Sequence, residues 1–345
     1  MRAVTVTEPG TVAIVDLLRP TPGPYQALVS TEVACLCNST DAKLIAGHFP
    51  GVDHYPLVLG HESAGIVQAV GPKVRNFQPG QRAIGGLVFD FSDPAYSSGW
   101  GGFCEYTLAN DHDAMVADGV ATAAHGWFEC YEIQRPVPMD IPVEAALLMC
   151  TWREVYGGFG DFQLKPGADI LVFGAGPVGL SFVKLARLLG LAYIGVVDPL
   201  ESKRRRALEL GADEAFPPGS PALTGLQARR GKPLDAVIDA VGRESIANAA
   251  LSLVGMGGSI CIYGVLAEPS ITIHKHQGPY NFNLFVHQWP TRSRERAAME
   301  PLCAWVRQGQ LRAADFITHE FPVQRIADAI DAVRSGEALK VLLRY

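Results

Sequence analysis

Two groups of residues in this chain have types and spacings that bear on chemistry. The first is Gly174-Ala175-Gly176-Pro177-Val178-Gly179, three glycines in G-x-G-x-x-G spacing. An apolar run at 170–173 precedes it, a helical pattern at 178–189 follows, and Asp198 closes the next apolar run, 19 residues beyond Gly179. In that context the first glycine permits a tight turn, the second lets the backbone approach a pyrophosphate, and the third lets helix and strand pack closely. The helix N-terminus adds unpaired N–H groups and the positive end of its dipole. A carboxylate at Asp198 can accept both hydroxyls of an adenosine ribose and repels a 2′-phosphate, which favours NAD over NADP. Lys203, Arg204, Arg205 and Arg206 follow closely; they could meet a 2′-phosphate or form a solvated helix face.

The second group is Gly60-His61-Glu62, an imidazole and a carboxylate side by side at a strand entrance. Cys37 stands 24 residues before His61 and Cys150 stands 89 after it. Spacing alone does not make these a site, because a lone Cys or His fits a packed core equally well.

The elements around both groups fall into two textures. Up to about residue 115, short strands at 27–33, 63–70 and 81–84 alternate with Gly/Pro turns, which predicts a β-barrel or compact β-rich domain. From 143 a helical stretch begins, and after Lys165-Pro166-Gly167 strands at 170–173, 193–197, 235–239 and 258–263 alternate with helices at 178–189 and 200–209. That alternation predicts βαβ units and a parallel sheet. The tail carries a predicted helix at 294–308, a strand at 317–321, a helix at 326–334 and a strand at 340–343. It is too short for a core of its own and is expected to complete one of the other parts.

Composition narrows the function classes. The 345 residues suggest about two domains. A balance of 29 basic against 35 acidic residues, net −6, provides no field for nucleic acid or an anionic membrane. No apolar run approaches a membrane span and the N-terminus lacks a signal-peptide core, so the cytoplasm is expected. The seven cysteines have no regular spacing and do not suggest a disulfide scaffold.

Several stretches together resemble a known family. Cys37-Asn38-Ser39-Thr40-Asp41, Gly60-His61-Glu62-Ser63-Ala64-Gly65, Gly101-Gly102-Phe103-Cys104-Glu105-Tyr106, Lys165-Pro166-Gly167 with the Gly174 turn, Leu210-Gly211-Ala212-Asp213 and Lys340-Val341-Leu342-Leu343 are similar to the zinc-dependent medium-chain dehydrogenases/reductases, the alcohol and polyol dehydrogenases. The match keeps the family's order over nearly the whole chain. The resemblance implies an α/β fold: a GroES-like β-rich catalytic domain over 1–150, completed by 295–345, and a Rossmann domain with a doubly wound parallel sheet over 151–294. The active site then lies in the cleft.

The resemblance further implies one catalytic zinc bound by Cys37, His61 and Cys150, with Glu62 beside the metal and Asp41 as the acid that holds the ligand histidine. It assigns Lys340 to the cofactor pyrophosphate and Val265 to the support of the nicotinamide, and Lys203 is a further cofactor candidate. Departures accompany it. Asn38 stands where the family commonly has its ligand Cys, and Cys37 stands four residues before Asp41 rather than three. Counting from Cys37 puts Ser39 at the hydroxyl relay, counting from Asp41 puts Thr40 there, and Lys43 occupies the region where the relay ends. Cys104 is alone between 85 and 125, so no structural zinc is expected. The stretch 117–136 reads as an insertion packed on the surface, with a lid or a subunit contact as alternatives. Glu154, one helical turn after Cys150, is a candidate for substrate or zinc contact. Phe89, Trp100, Trp127, His287 and Trp289 are candidate pocket aromatics and imidazole.

The expected function is transfer of hydride between an alcohol or polyol and NAD, with zinc lowering the pKa of the substrate hydroxyl. The partners are a small alcohol or carbonyl substrate and further copies of the chain, as dimer or tetramer. Two alternatives stay open: an NAD(P)H-dependent reductase of an activated double bond or imine with an altered or absent zinc, and a non-catalytic dinucleotide-binding protein.

Overall fold

The computed structural model describes residues 1–266 and 268–345. They form two compact units, Met1–Cys150 with Glu300–Tyr345, and Thr151–Met299. Each has its own sheet system and core.

In the first unit the long strand Gln26–Leu36 is the axis of a seven-stranded sheet. Two buried apolar runs, Ala27-Leu28-Val29 and Val33-Ala34-Cys35-Leu36, flank the polar Ser30-Thr31-Glu32, so both faces are covered at each end of the strand. On one side it pairs antiparallel with Ser63–Val70, and on the other with the C-terminal strand Lys340–Arg344. A strand from the N-terminal part and the C-terminal strand therefore share one sheet. A smaller four-stranded sheet holds Arg2–Glu8, Thr11–Asp16, Leu57–Val58 and Ser97–Ser98. Between the sheets, Val4, Leu36, Leu44, Leu59, Phe103, Ile326 and Leu343 form one core cluster. These features match the GroES-like β-rich expectation.

The second unit is a six-stranded, all-parallel sheet in the order Glu214–Phe216, Tyr193–Val197, Asp169–Phe173, Leu234–Asp239, Val254–Ile262, Asn283–Val286. Numbered along the chain this is 3-2-1-4-5-6, the doubly wound Rossmann arrangement. Its central strands read as continuous apolar runs because helices cover both faces.

One helix departs from the sequence pattern. The span predicted at 294–308 is two helices, Arg292–Ala297 and Met299–Arg307, meeting at Ala298. Pro301 has no N–H to return to the Ala297 carbonyl, so the hydrogen-bond ladder is broken there. A short helix, Thr40–Ala46, was not signalled by periodicity. The 117–136 stretch is two 3₁₀ turns, Ala123–His125 and Glu129–Ile133, with Tyr131 buried and Phe128 stacked on Phe89 at 4.8 Å. No helix among the described residues is long and apolar enough to cross a membrane.

Candidate active site

Strand register assembles the first group. Ala34 lies opposite Ser63 and Val341 opposite Leu36, so the strand ends bring Cys37, Glu62 and Lys340 to one edge of the sheet. The Cys35 amide donates to the Glu62 carbonyl at 3.0 Å and fixes the approach. Gly60 turns the chain with φ +103°; a Cβ there would meet Phe103 at 2.2 Å, so only glycine allows His61 to follow on this path.

Donor atoms of Cys37, His61 and Glu62 lie within 4.8 Å of one another. Behind them Asp41, 1% exposed, presents Oδ1 to His61 Nδ1 at 3.5 Å. Both atoms are buried and neither has a hydrogen-bond partner, so each faces the other as its nearest opposite charge. Asp41 Oδ2 accepts the Cys37 amide at 2.8 Å. The extra residue between Cys37 and Asp41 is thus taken up in the turn at Asn38-Ser39, and the acid still reaches both expected ligands. With Nδ1 turned to Asp41, Nε2 is left on the donor side, 4.0 Å from Glu62 Oε1. Thiolate sulfur, imidazole nitrogen and carboxylate oxygen are the donor types zinc takes, and the acid behind the imidazole fixes its tautomer, so the residues fit such an ion.

The same contacts act on the two titratable groups. Burial works against a charged His61, but the Asp41 carboxylate and the Cys37 thiol outweigh it and hold the imidazole well above its usual pKa. Burial likewise raises the Cys37 thiol, yet its hydrogen bond with His61 draws it below its usual value. At neighbouring Cys35 burial outweighs the lowering effect of the Lys340 charge and pushes the thiol strongly up.

The other expected residues have the following surroundings. Cys150 is buried with its thiol directed at the Ser63 carbonyl, 4.0 Å away, and it does not join the Cys37–His61–Glu62 group. Lys340, assigned from the resemblance to the pyrophosphate, is 4% exposed and places Nζ 2.7 Å and 2.5 Å from the two Glu62 oxygens. Burial opposes its charge, and Glu62 more than restores it, raising its pKa. Ser39 stands at the N-terminal end of the Thr40–Ala46 helix without a side-chain capping bond and is exposed, whereas Thr40 and Lys43 are half-buried. Glu154 is half-buried on the long helix Val143–Asp161. Trp100 stands at φ +73°, rare for a residue with a Cβ, with its ring edge-on to His61 at 5.8 Å and to Phe49 at 5.3 Å. Phe49 and the Lys340–Glu62 pair were missed in the sequence; neither has a local signal.

In the second unit, Gly174 takes φ +93° and Gly176 caps the helix Pro177–Leu188. A Cβ on Gly179 would fall 1.8 Å from the Gly174 carbonyl oxygen. Asp198 Oδ2 accepts the Ala175 amide at 2.7 Å and Oδ1 the Leu200 amide at 2.9 Å, tying the end of the second strand to the glycine turn. Gly174, Asp198, Lys203, Val241 and Arg243 line a cavity of about 790 Å³ in this unit. Of the basic run only Lys203 lines it. Arg204 donates to the carbonyls of Asp198 and Pro199, and Arg206 pairs with Glu209. Val265 is partly exposed, with its carbonyl against Gly242.

Two family models match the chain: an alcohol dehydrogenase GroES-like domain over residues 23–119 and a zinc-binding dehydrogenase over residues 177–299. D-altritol 5-dehydrogenase of Agrobacterium fabrum is 30% identical over 276 residues, 77% of each chain. Starvation-sensing protein RspB of Escherichia coli is 27% identical, covering 100% of this chain and 99% of its own. The solved alcohol dehydrogenase TADH from Thermus sp. ATN1 superposes with a TM-score of 0.78 at 25% identity, covering 100% of this chain and 99% of that one.

Proposed function

This chain belongs to the zinc-type medium-chain dehydrogenase/reductase family, and on that premise we propose that it transfers hydride between an alcohol or polyol and NAD. The observation that carries the reading is the convergence of Cys37, His61 and Glu62 with Asp41 behind the imidazole. Cys37 and His61 would hold the zinc ion, with Cys150 the third ligand to test. When bound, zinc supplies a Lewis acid to the substrate oxygen and NAD supplies the hydride acceptor.

The chain's own groups do the rest. Asp41 keeps the Nδ1 proton of His61 and so fixes its orientation. Thr40 or Ser39, beside Cys37, takes the hydroxyl proton and passes it toward solvent by way of Lys43. The turn from Gly174 through Pro177 and Val178 to Gly179 receives the pyrophosphate at a helix N-terminus. Asp198 faces the cofactor cavity with lone pairs left for ribose hydroxyls, and Lys203 borders the same space. Arg204 is occupied by the Asp198 and Pro199 carbonyls and Arg206 by Glu209, which supports NAD over NADP. Glu154 and Val265 are placed in the reading as substrate and nicotinamide contacts. The reading includes a homo-oligomer acting in the cytoplasm.

The test is a screen of alcohols and polyols for reduction of NAD, with metal analysis of the purified chain. Turnover with about one zinc per chain is expected. Metal-free protein with full activity sinks the zinc reading, and no turnover across a broad screen sinks the enzyme reading.

A further inference from the structure

The Glu62 carboxylate is claimed from two sides. It is one of three donors in the candidate zinc group, 4.0 Å from His61 Nε2, and both its oxygens are within 2.7 Å of Lys340 Nζ. Neither side chain of the pair is more than 8% exposed. Lys340 is not free to leave. Its amide donates to the Phe316 carbonyl, and Val341, the next residue, is in register with Leu36 in the middle of the sheet. A buried ammonium that loses its carboxylate is left uncompensated, which is far more costly than never having the pair.

From this we infer that Lys340 is a positioning residue that holds Glu62 away from the metal, so that the metal and the lysine compete for one carboxylate. The inference rests on the zinc reading above. In the wild-type chain Glu62 then balances the charge of Lys340 instead of acting as a ligand, and the metal is held more loosely, with more of its coordination open, than three converging donors suggest. Without the lysine, the Glu62 carboxylate is no longer drawn away from the metal by that ammonium.

The probes are zinc, titrated against a competing chelator, and cobalt(II), whose visible absorption reports its ligands. K340M is expected to bind zinc about tenfold tighter or more, to shift the cobalt bands, and to gain more thermal stability from zinc than wild type does. E62Q, which leaves the Lys340 charge beside the metal, is expected to bind zinc about tenfold weaker or more. The double variant K340M/E62Q, with both charges removed, returns toward wild-type affinity, and K340R retains the wild-type cobalt spectrum. Should K340M not fold, E62Q and the double variant decide. The inference is overturned if wild type binds zinc and a folded K340M neither binds it more tightly nor shifts the cobalt spectrum, or, where K340M does not fold, if E62Q binds zinc as wild type does. If wild type and all variants bind neither metal, the zinc reading fails first and takes this inference with it.

Discussion

The carboxylate of Asp41 serves two residues at once: Oδ2 accepts the Cys37 amide at 2.8 Å, and Oδ1 faces His61 Nδ1 at 3.5 Å. One buried acid therefore sets the backbone of one proposed ligand and the ring of the other. D41N keeps the shape but removes the charge behind the imidazole. Zinc affinity is expected to fall by about ten- to a hundredfold, read by chelator competition. D41A also leaves the Cys37 amide without an acceptor, costing about 1–3 kcal/mol in chemical denaturation.

Asp198 has a comparable double engagement, with the Ala175 and Leu200 amides. Replacing it by glycine removes both the ribose acceptor and the charge that repels a 2′-phosphate. NAD binding by D198G is expected to weaken about tenfold or more while NADP gains relative to it, measured by fluorescence titration of the reduced cofactors. K203A separates the two views of the basic run. If Lys203 serves a ribose contact, NAD and NADP weaken together; a loss confined to NADP argues for a phosphate site.

The glycine turn, its flanking strand and helix, and Asp198 were legible in the sequence because they lie within one βαβ unit, where local periodicity and backbone freedom decide the structure. The Cys37–His61 pairing was legible only through the resemblance, and its one-residue offset was resolved by a turn that no pattern announces. The Lys340–Glu62 pair joins residues 278 positions apart. It depends on the register of a C-terminal strand against Gln26–Leu36, and nothing in either local segment encodes that register. The break at Ala298 was readable in principle, since Pro301 lies inside the apolar period that suggested a single helix.

Asp169 opens the first Rossmann strand and pairs with Arg230 at 2.8 Å and with Lys232. Burial opposes its charge, but the two cations outweigh burial and hold its carboxyl below the usual aspartate range. Because the folded-state pKa is the lower one, the pair stabilises the fold above the unfolded aspartate pKa, and the contribution is lost as pH falls through the folded value. D169N is expected to cost about 2 kcal/mol near neutral pH. In urea denaturation the gap between wild type and D169N should shrink steadily below about pH 4. A gap independent of pH shows that the loss is one of packing alone.

Gly179 is the residue on which the cofactor turn depends most sharply. Its missing Cβ leaves room for the Gly174 carbonyl oxygen, which an alanine methyl would approach to 1.8 Å. That oxygen belongs to backbone at the C-terminal edge of the sheet, just past Phe173, so it cannot swing aside as a flexible side chain could. G179A must therefore push the helix Pro177–Leu188 off the strand Asp169–Phe173, which moves its N-terminal N–H groups away from the phosphate position. G176A is the control: a Cβ there meets nothing within 4 Å, and its φ of −73° suits any residue. The expected result is that G179A loses NADH binding by more than about a hundredfold, with a cost of about 1–3 kcal/mol in stability. G176A should fold like wild type and weaken NADH only through crowding of the pyrophosphate. Wild-type NADH affinity in a folded G179A would mean that the pyrophosphate does not use this turn.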